Sequence, residues 1–340
     1  LVRVALDGTQ TPFGDAALYT SASVSPDGSH VLVQQVHRPF SYHVTMSRFP
    51  KRMAVHGVDG ALVRELADLP LADSIPIAFG SVRTGPRSVG WRSDHPATLS
   101  WAEALDDGDA KKEVEHRDAL HLLPAPFEGD STVVWKSTLR FGGATWGHET
   151  FAMVEEWWYD TRTVRSWGFD PSGQAKPTLL HERNYQDAYS DPGNPVRTPG
   201  KYGSYVLNFT DSGQLLMMGR GASEAGVYPF LDAYDVKTQE TTRLWQSKDP
   251  HYESVTRVLD ANGTRFITRR QSKTEPPNYF MRDGRRRPKA ITRYVDWAPQ
   301  FAQVKKELIT YEREDGVQLS GTMYLPPGYN AKRDGPLPFM

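Results

Sequence analysis

Residues 21–36 read SASVSPDGSHVLVQQV, and the fold turns on this stretch. An apolar run is followed by Ser-Pro-Asp-Gly and then by a second, more strongly apolar run. Asp-Gly between apolar runs is the sign of a β-hairpin, because both turn residues accept positive φ. The same pattern returns at residues 205–220, YVLNFTDSGQLLMMGR, and at residues 254–270, SVTRVLDANGTRFITRR. Weaker copies are residues 89–103, VGWRSDHPATLSWAE, and residues 143–157, GATWGHETFAMVEEW. The five turns centre near Gly28, His95, Gly147, Gly213 and Gly263, roughly 50 to 67 residues apart. After most of these hairpins come two more strand-like runs, such as MAVHGV at 53–58 and LVREL at 62–66 around Asp59-Gly60. Four short strands per repeat, five times over, predict an all-β β-propeller of four-stranded antiparallel blades. A sandwich does not repeat four-strand units in series.

The rest of the chain fits around this frame. Helix-like spacing is confined to residues 100–105 and 303–308, each long enough for a turn or two. At the start, residues 1–6 and 9–13 flank Asp7-Gly8 and look like the last two strands of a blade whose first two are missing. At the end, residues 305–329 read KKELITYEREDGVQLSGTMYLPPGY, a hairpin longer than those of the blades with no outer strand pair after it. The expected organisation is a propeller over 1–300, incomplete at its N-terminus, and the start of a second domain over 301–340.

Composition narrows the chemistry. The chain has 340 residues, 40 Lys+Arg against 41 Asp+Glu, and no cysteine. A disulfide scaffold, a Cys-ligated metal site and a cysteine nucleophile are excluded. A near-neutral charge argues against a dedicated nucleic-acid binder. No apolar run of about 18 residues is present to form a membrane-spanning helix. The N-terminal LVRVALDGTQ lacks both the basic and the apolar regions of a signal peptide, and with no initiator Met the chain is expected to begin inside a longer protein. Gly (28) and Pro (25) together with Trp (9) and Tyr (15) agree with short strands joined by tight turns.

These residues resemble the prolyl oligopeptidase family of serine peptidases. ITYEREDGVQLSGTMYLPPGY at 309–329 is similar to the opening strands of that family's α/β-hydrolase domain, and Ser25-Pro26-Asp27-Gly28 is frequent in its propellers. FSYHVTMSRFP at 40–50 and RFGGATWGHETFAMVEEWWYDTRTVR at 140–165 resemble the glutamyl endopeptidase-like branch, known from plant plastids and bacteria. The resemblance implies a propeller that covers an active site, a hydrolase domain bearing Ser, Asp and His, and a peptide substrate. Here the hydrolase region ends after about one hairpin, and Gly-x-Ser-x-Gly, the sharp turn that raises a nucleophilic serine, is absent. Its nearest approach, Gly221-Ala222-Ser223-Glu224-Ala225, is expected to be a loop. No catalytic residue is therefore expected in this chain, and the partners implied are a peptide and the chain's own hydrolase domain, with neither nucleic acid nor membrane.

Candidate binding residues follow from the implied preference. Selecting glutamate needs a cation, and arginine's planar fork pairs both carboxylate oxygens. Arg48, Arg140 and Arg162 lie in the most family-like stretches and are the candidates. Arg162 and Arg165, read as one strand, would face opposite sides. Glu155 and Glu156 likewise cannot form one carboxylate pair. Trp146, Trp157, Trp158, Tyr159 and Trp167 are expected to fill the space between blades rather than to make a carbohydrate platform. The ten histidines show no His-x-x-x-His or His-Glu-x-x-His, so no metal site and no cofactor are expected. The basic run Arg285-Arg286-Arg287-Pro288-Lys289 reads as an exposed hairpin tip. The rival from another class is a non-catalytic, TolB-like binding propeller. A sialidase-like glycosidase is set aside because no segment fits an Asp-box.

Overall fold

The computed structural model describes residues 1–338 and forms two compact units, one of residues 1–246 with 260–263 and the other of residues 247–259 with 264 onward. The first unit carries four blades. Blade 1 is Leu18–Val24, His30–Val36, Lys51–Gly57 and Leu62–Leu69; blade 2 is Arg87–Trp91, Thr98–Ala104, Asp118–Pro124 and Thr132–Ser137. Blade 3 is Arg140–His148, Phe151–Trp158, Thr163–Phe169 and Thr178–Asn184; blade 4 is Asn194–Pro195, Leu215–Gly219, Phe230–Tyr234 and Thr241–Gln246. Each is a four-stranded antiparallel meander in chain order. A separate two-stranded hairpin, Val2–Val4 with Gln10–Pro12, precedes them.

The first hairpin shows why these turns form where they do. Gly28 takes φ 75°, and the Asp27 carboxylate accepts from the Ser29 backbone N–H at 3.0 Å and the Ser25 hydroxyl at 2.6 Å. The same Asx chemistry recurs at Asp59, Asp170 and Asp235. Three apolar clusters lie between consecutive blades: Leu32, Val55, Leu99 and Phe127 between the first pair; Leu120, Trp135, Phe141, Trp146 and Phe169 between the second; Met153, Leu207, Leu215 and Tyr234 between the third. Blades 2 and 3 are thus sheets covered on both faces, as stacked blades require. Trp146 is core, and Trp167 packs against the same cluster.

The second unit contains a fifth four-stranded sheet, Tyr252–Val258, Arg265–Gln271, Asn278–Asp283 and Lys289–Ala290, again in chain order. It also contains the long hairpin Lys305–Glu312 with Gln318–Leu325, paired residue for residue, and the single helical turn Ala331–Asp334.

Three sequence expectations are corrected. Residues 100–105 are not helical but lie mostly in Thr98–Ala104, where Thr98 to Ala102 are all buried; burial on both faces erases the polar face that a surface helix would show. Residues 303–308 open the strand Lys305–Glu312. In blade 4, Tyr205–Leu207 pairs not with Leu215–Gly219 but with Arg197–Pro199, and the inner strand is the two-residue Asn194–Pro195. Asn208 still ties the two layers, donating to Val196 O and accepting from Leu216 N.

Candidate functional site

In an antiparallel meander the connections alternate ends. The second-to-third-strand loops and the blade-to-blade connections therefore share one end of each sheet. Arg48 lies in the blade 1 loop 37–50, Arg140 begins blade 3 just after the blade-to-blade connection, and Arg162 sits in the blade 3 turn before Thr163. All three expected arginines belong to this end of the first unit. The connection from blade 1 to blade 2, residues 70–86, meets Arg48 and Arg140 directly and reaches the loop of Arg162 at Tyr159. Arg48 donates to Ile75 O and, at 2.9 Å, to Pro76 O. Arg140 Nε donates to Gly80 O at 2.9 Å, and Val82 N to Gly108 O at 3.0 Å. Phe79 stacks on Tyr159 at 6.0 Å. Two glycines make this passage possible. A Cβ on Gly80 would press on the Trp158 and Tyr159 rings at 3.2 Å, and one on Gly108 would overlap Val82 O at 1.9 Å.

The three arginines differ in what holds them. Arg140 is 1% exposed. Its guanidinium meets Asp106 Oδ2 at 2.7 Å, Asp118 Oδ1 at 2.9 Å and Asp106 Oδ1 at 3.2 Å, besides the Gly80 carbonyl. Arg87 pairs with Asp118, and Arg117 with Asp106 at 3.0 Å. Two buried carboxylates among three guanidiniums make a cross-blade knot, and Arg140 is spent on it. Arg117 also lies 3.9 Å over the Trp158 ring, a cation–π contact. Arg48 meets backbone carbonyls only. Arg162 is not on the strand as expected: it occupies the turn at φ 58°, and its carbonyl accepts from Tyr185 N at 2.8 Å. Arg165 is on the strand, bonded to Glu182 at 2.6 Å.

Sequence reasoning passed over two cations at this end. Arg83 donates to Ser47 O and Phe49 O at 3.3 Å and to Pro70 O at 2.8 Å. Burial pushes its guanidinium below the usual value, though it remains charged at neutral pH. Lys51, at the foot of the third strand of blade 1, is pushed down by burial and then by the charge of Arg83. Residues 37–50 carry two arginines and two histidines with no acidic residue, a signal that bears on Lys51 just after them but not on Arg83.

Glu155 and Glu156 face opposite ways. Glu156 is fully buried and accepts from Leu139 N at 3.1 Å, Trp167 Nε1 at 3.0 Å and Thr138 Oγ1 at 3.2 Å. Glu155 lines a cavity of about 240 Å³ with Thr145, Ser166 and Asn194, and desolvation raises its carboxyl. A cavity of about 260 Å³ between blades 3 and 4 is lined by Ser223, His181 and Asp232. It is no triad. The Ser223 hydroxyl donates to Gly226 O at 3.0 Å, Asp232 is bound to Arg243, and Ala222–Ser223 turns straight back into Gly226–Val227 with no helix after it. Among the described residues no cluster of three or more His, Asp or Glu is placed to hold a metal.

No family model matches the chain. It is 41% identical over 355 residues to a protein of Oryza sativa subsp. japonica, and 42% identical over 358 residues to one of Arabidopsis thaliana, both named probable glutamyl endopeptidase, chloroplastic. Each alignment takes in 99% of this chain, which spans 38% and 37% of those relatives. Among solved structures, a putative dipeptidyl aminopeptidase IV from Bacteroides ovatus superposes with TM-score 0.55 at 12% identity, covering 92% of this chain and 45% of that one. Porphyromonas gingivalis dipeptidyl peptidase 4 gives 0.51 at 12% identity, covering 95% and 53%. At such identity these two speak for the fold alone. Along nearly all its length the chain is thus similar to part of proteins named probable glutamyl endopeptidase, and its blades share the fold of the two solved peptidases.

Proposed function

We propose that this chain is the propeller-bearing part of a serine peptidase that cleaves peptides after glutamate. Residues 1–300 would supply the propeller, and residues 301–340 the first strands of the α/β-hydrolase domain, the last two of these residues lying outside those described. The observation that carries the reading is the 41–42% identity to proteins named glutamyl endopeptidase, over 99% of the chain. In this reading the blades gate access to an active site built mainly by the hydrolase domain, admitting short or unfolded chains as a lid admits substrate. The connection end gathers the cations. Arg48 and Arg162 would meet a substrate carboxylate, while Arg140, held by Asp106 and Asp118, would brace the loops between them. The chain by itself, with no nucleophile elbow, would not hydrolyse peptides.

The test uses matched peptides differing only as Glu or Gln at the cleavage position. The full-length parent protein should cleave the Glu peptide, and this chain alone should cleave neither. Arg48→Met together with Arg162→Met should lower the Glu-over-Gln preference about 10-fold or more, the worth of a charge-assisted hydrogen bond. Hydrolysis by the chain alone, or an unchanged preference in the double variant, would overturn the assignment. A parent protein with no peptidase activity would favour the TolB-like binding propeller.

A further inference from the structure

Arg83 is the odd cation of the first unit. Most half-buried or buried arginines of its blades face a carboxylate: Arg87 and Arg140 meet Asp118, Arg117 meets Asp106, Arg92 meets Asp94, and Arg165 meets Glu182. Arg83 is bonded through both terminal nitrogens to three neutral carbonyls, and its Nε–H is buried without an acceptor. Arg48, in the loop 37–50 that Arg83 bonds to at Ser47 and Phe49, also meets carbonyls only. Lys51 stands close enough to Arg83 for the two charges to repel. Among the described residues no carboxylate forms an ion pair with any of the three. The one acidic side chain in residues 70–86 is Asp73, which is exposed. Asp68, on the fourth strand of blade 1, is taken by Arg52 at 2.8 Å and His37 at 2.7 Å.

Gathering cations without a counter-charge is costly. A partly desolvated charge loses hydration that only an opposite charge or good hydrogen bonds restore. The cluster also has an apolar rim, with Phe40 against Phe49 at 5.3 Å and the exposed Ile77 beyond. A free anion needs no apolar rim, whereas an extended peptide does. An acidic side chain would place its two oxygens on the guanidinium fork, and its neighbours on the rim.

We propose that Arg83, with Lys51 and Arg48, forms the subsite that takes the acidic side chain of a peptide. The proposal rests on the peptidase reading above and moves its specificity to a residue outside the segments that first suggested it. Arg83 is a binding residue here, not a catalytic one.

Binding is measured on this chain by calorimetry, which separates the subsite from peptide hydrolysis. The probes are an end-blocked hexapeptide with one Glu, its Gln twin, and inorganic phosphate. The expected result is that the Glu peptide binds at least 10-fold more tightly than the Gln peptide. Arg83→Met should abolish the difference, and Arg83→Lys should restore part of it. Lys51→Met, which breaks no hydrogen bond, should reduce the difference several-fold and guards against misfolding of the Arg83 variants. In the unaltered chain, the Lys51 amine, followed by NMR, should titrate higher once the Glu peptide is bound. Equal affinity for the two peptides, or a preference untouched by both Met variants, removes the subsite. Phosphate that outcompetes the Glu peptide reassigns the site to a phosphoryl group and overturns the proposal. If the Glu peptide binds as expected while the full-length protein fails to cleave after Glu, the peptidase reading falls and the subsite stands.

Discussion

Residues 70–86 touch two arginine clusters in opposite electrostatic settings. At Gly80 the connection meets Arg140, which is closed over by Asp106 and Asp118. Three residues on, Arg83 reaches only carbonyls, with Lys51 as a like-charged neighbour. In the first cluster every charge is answered and the group is sealed, so it contributes to holding blades 2 and 3 together. In the second the charge is unanswered and the group is half-open, so its cost is tolerated rather than used by the fold. The difference separates arginines that build the scaffold from those free to meet a ligand.

The sharpest way to break this comparison is to remove the two guanidiniums in turn. Arg140→Met takes the shared guanidinium from two carboxylates that are at most 1% exposed and leaves each with a single partner, Arg117 on Asp106 and Arg87 on Asp118, so the loss should reach about 3 kcal/mol, the low end for breaking a buried pair. Arg83→Met strands no carboxylate and forfeits hydrogen bonds to neutral acceptors, so it should cost under about 2 kcal/mol. Urea unfolding of both variants checks the order. Equal losses would mean that Arg83 is a structural staple after all.

The adjacent glutamates of blade 3 repeat the contrast on a smaller scale. Glu156 accepts three hydrogen bonds and lies 3.7 Å from Arg165. Glu156→Gln keeps the shape but converts one acceptor oxygen into a donor, and should cost about 1–3 kcal/mol. Glu155 is exposed, its carboxyl raised by desolvation against the pull of Arg183 and with a push from Asp191, so Glu155→Gln should stay within about 0.5 kcal/mol of neutral at pH 7. A loss of more than about 1 kcal/mol for the Glu155 variant would contradict the burial argument.

What could be read in advance follows the same division between local and distant. The blades were legible because Asp-Gly and Ser-Gly turns, with apolar runs either side, are encoded within a few residues. Blade 4's inner strand was not, since two paired residues containing a proline leave no pattern to see. Arg48, Arg140 and Arg162 could be chosen by residue type, but their roles could not. The partners of Arg140 lie 34 and 22 residues away on the neighbouring blade. Arg83 escaped notice because it sits in a Pro- and Gly-rich connection, where only the folded loops reveal a cation without an acid.

Histidines extend the comparison to pH. His181, His121 and His95 are each pushed below 6.5, in every case first by burial. The unfolded chain then takes up protons that the folded chain refuses, so stability falls as pH drops through 6.5. His37 acts the other way. The Arg38 carbonyl and Asp68 raise it, so its contribution is full below 6.5 and is lost as pH rises past its folded value. With three groups against one, the urea midpoint should fall between pH 7.5 and 5.5, and His181→Gln should flatten that fall. A variant with an unchanged slope would show that His181 takes up its proton without resistance in the fold.

The smallest effect belongs to the third setting an arginine can have, which is water. In the second unit, Arg286 is 81% exposed and pairs with Asp283 at 2.7 Å. Side-chain entropy and screening cancel most of what such a contact gains. Arg286→Ala should therefore shift stability by less than about 0.5 kcal/mol, and raising the salt concentration should not separate variant from parent. A larger, salt-sensitive loss would mean that charge at the 284–288 tip is doing for this sheet what Asp106 and Asp118 do for Arg140, and the ranking of buried, half-open and exposed arginines would have to be redrawn.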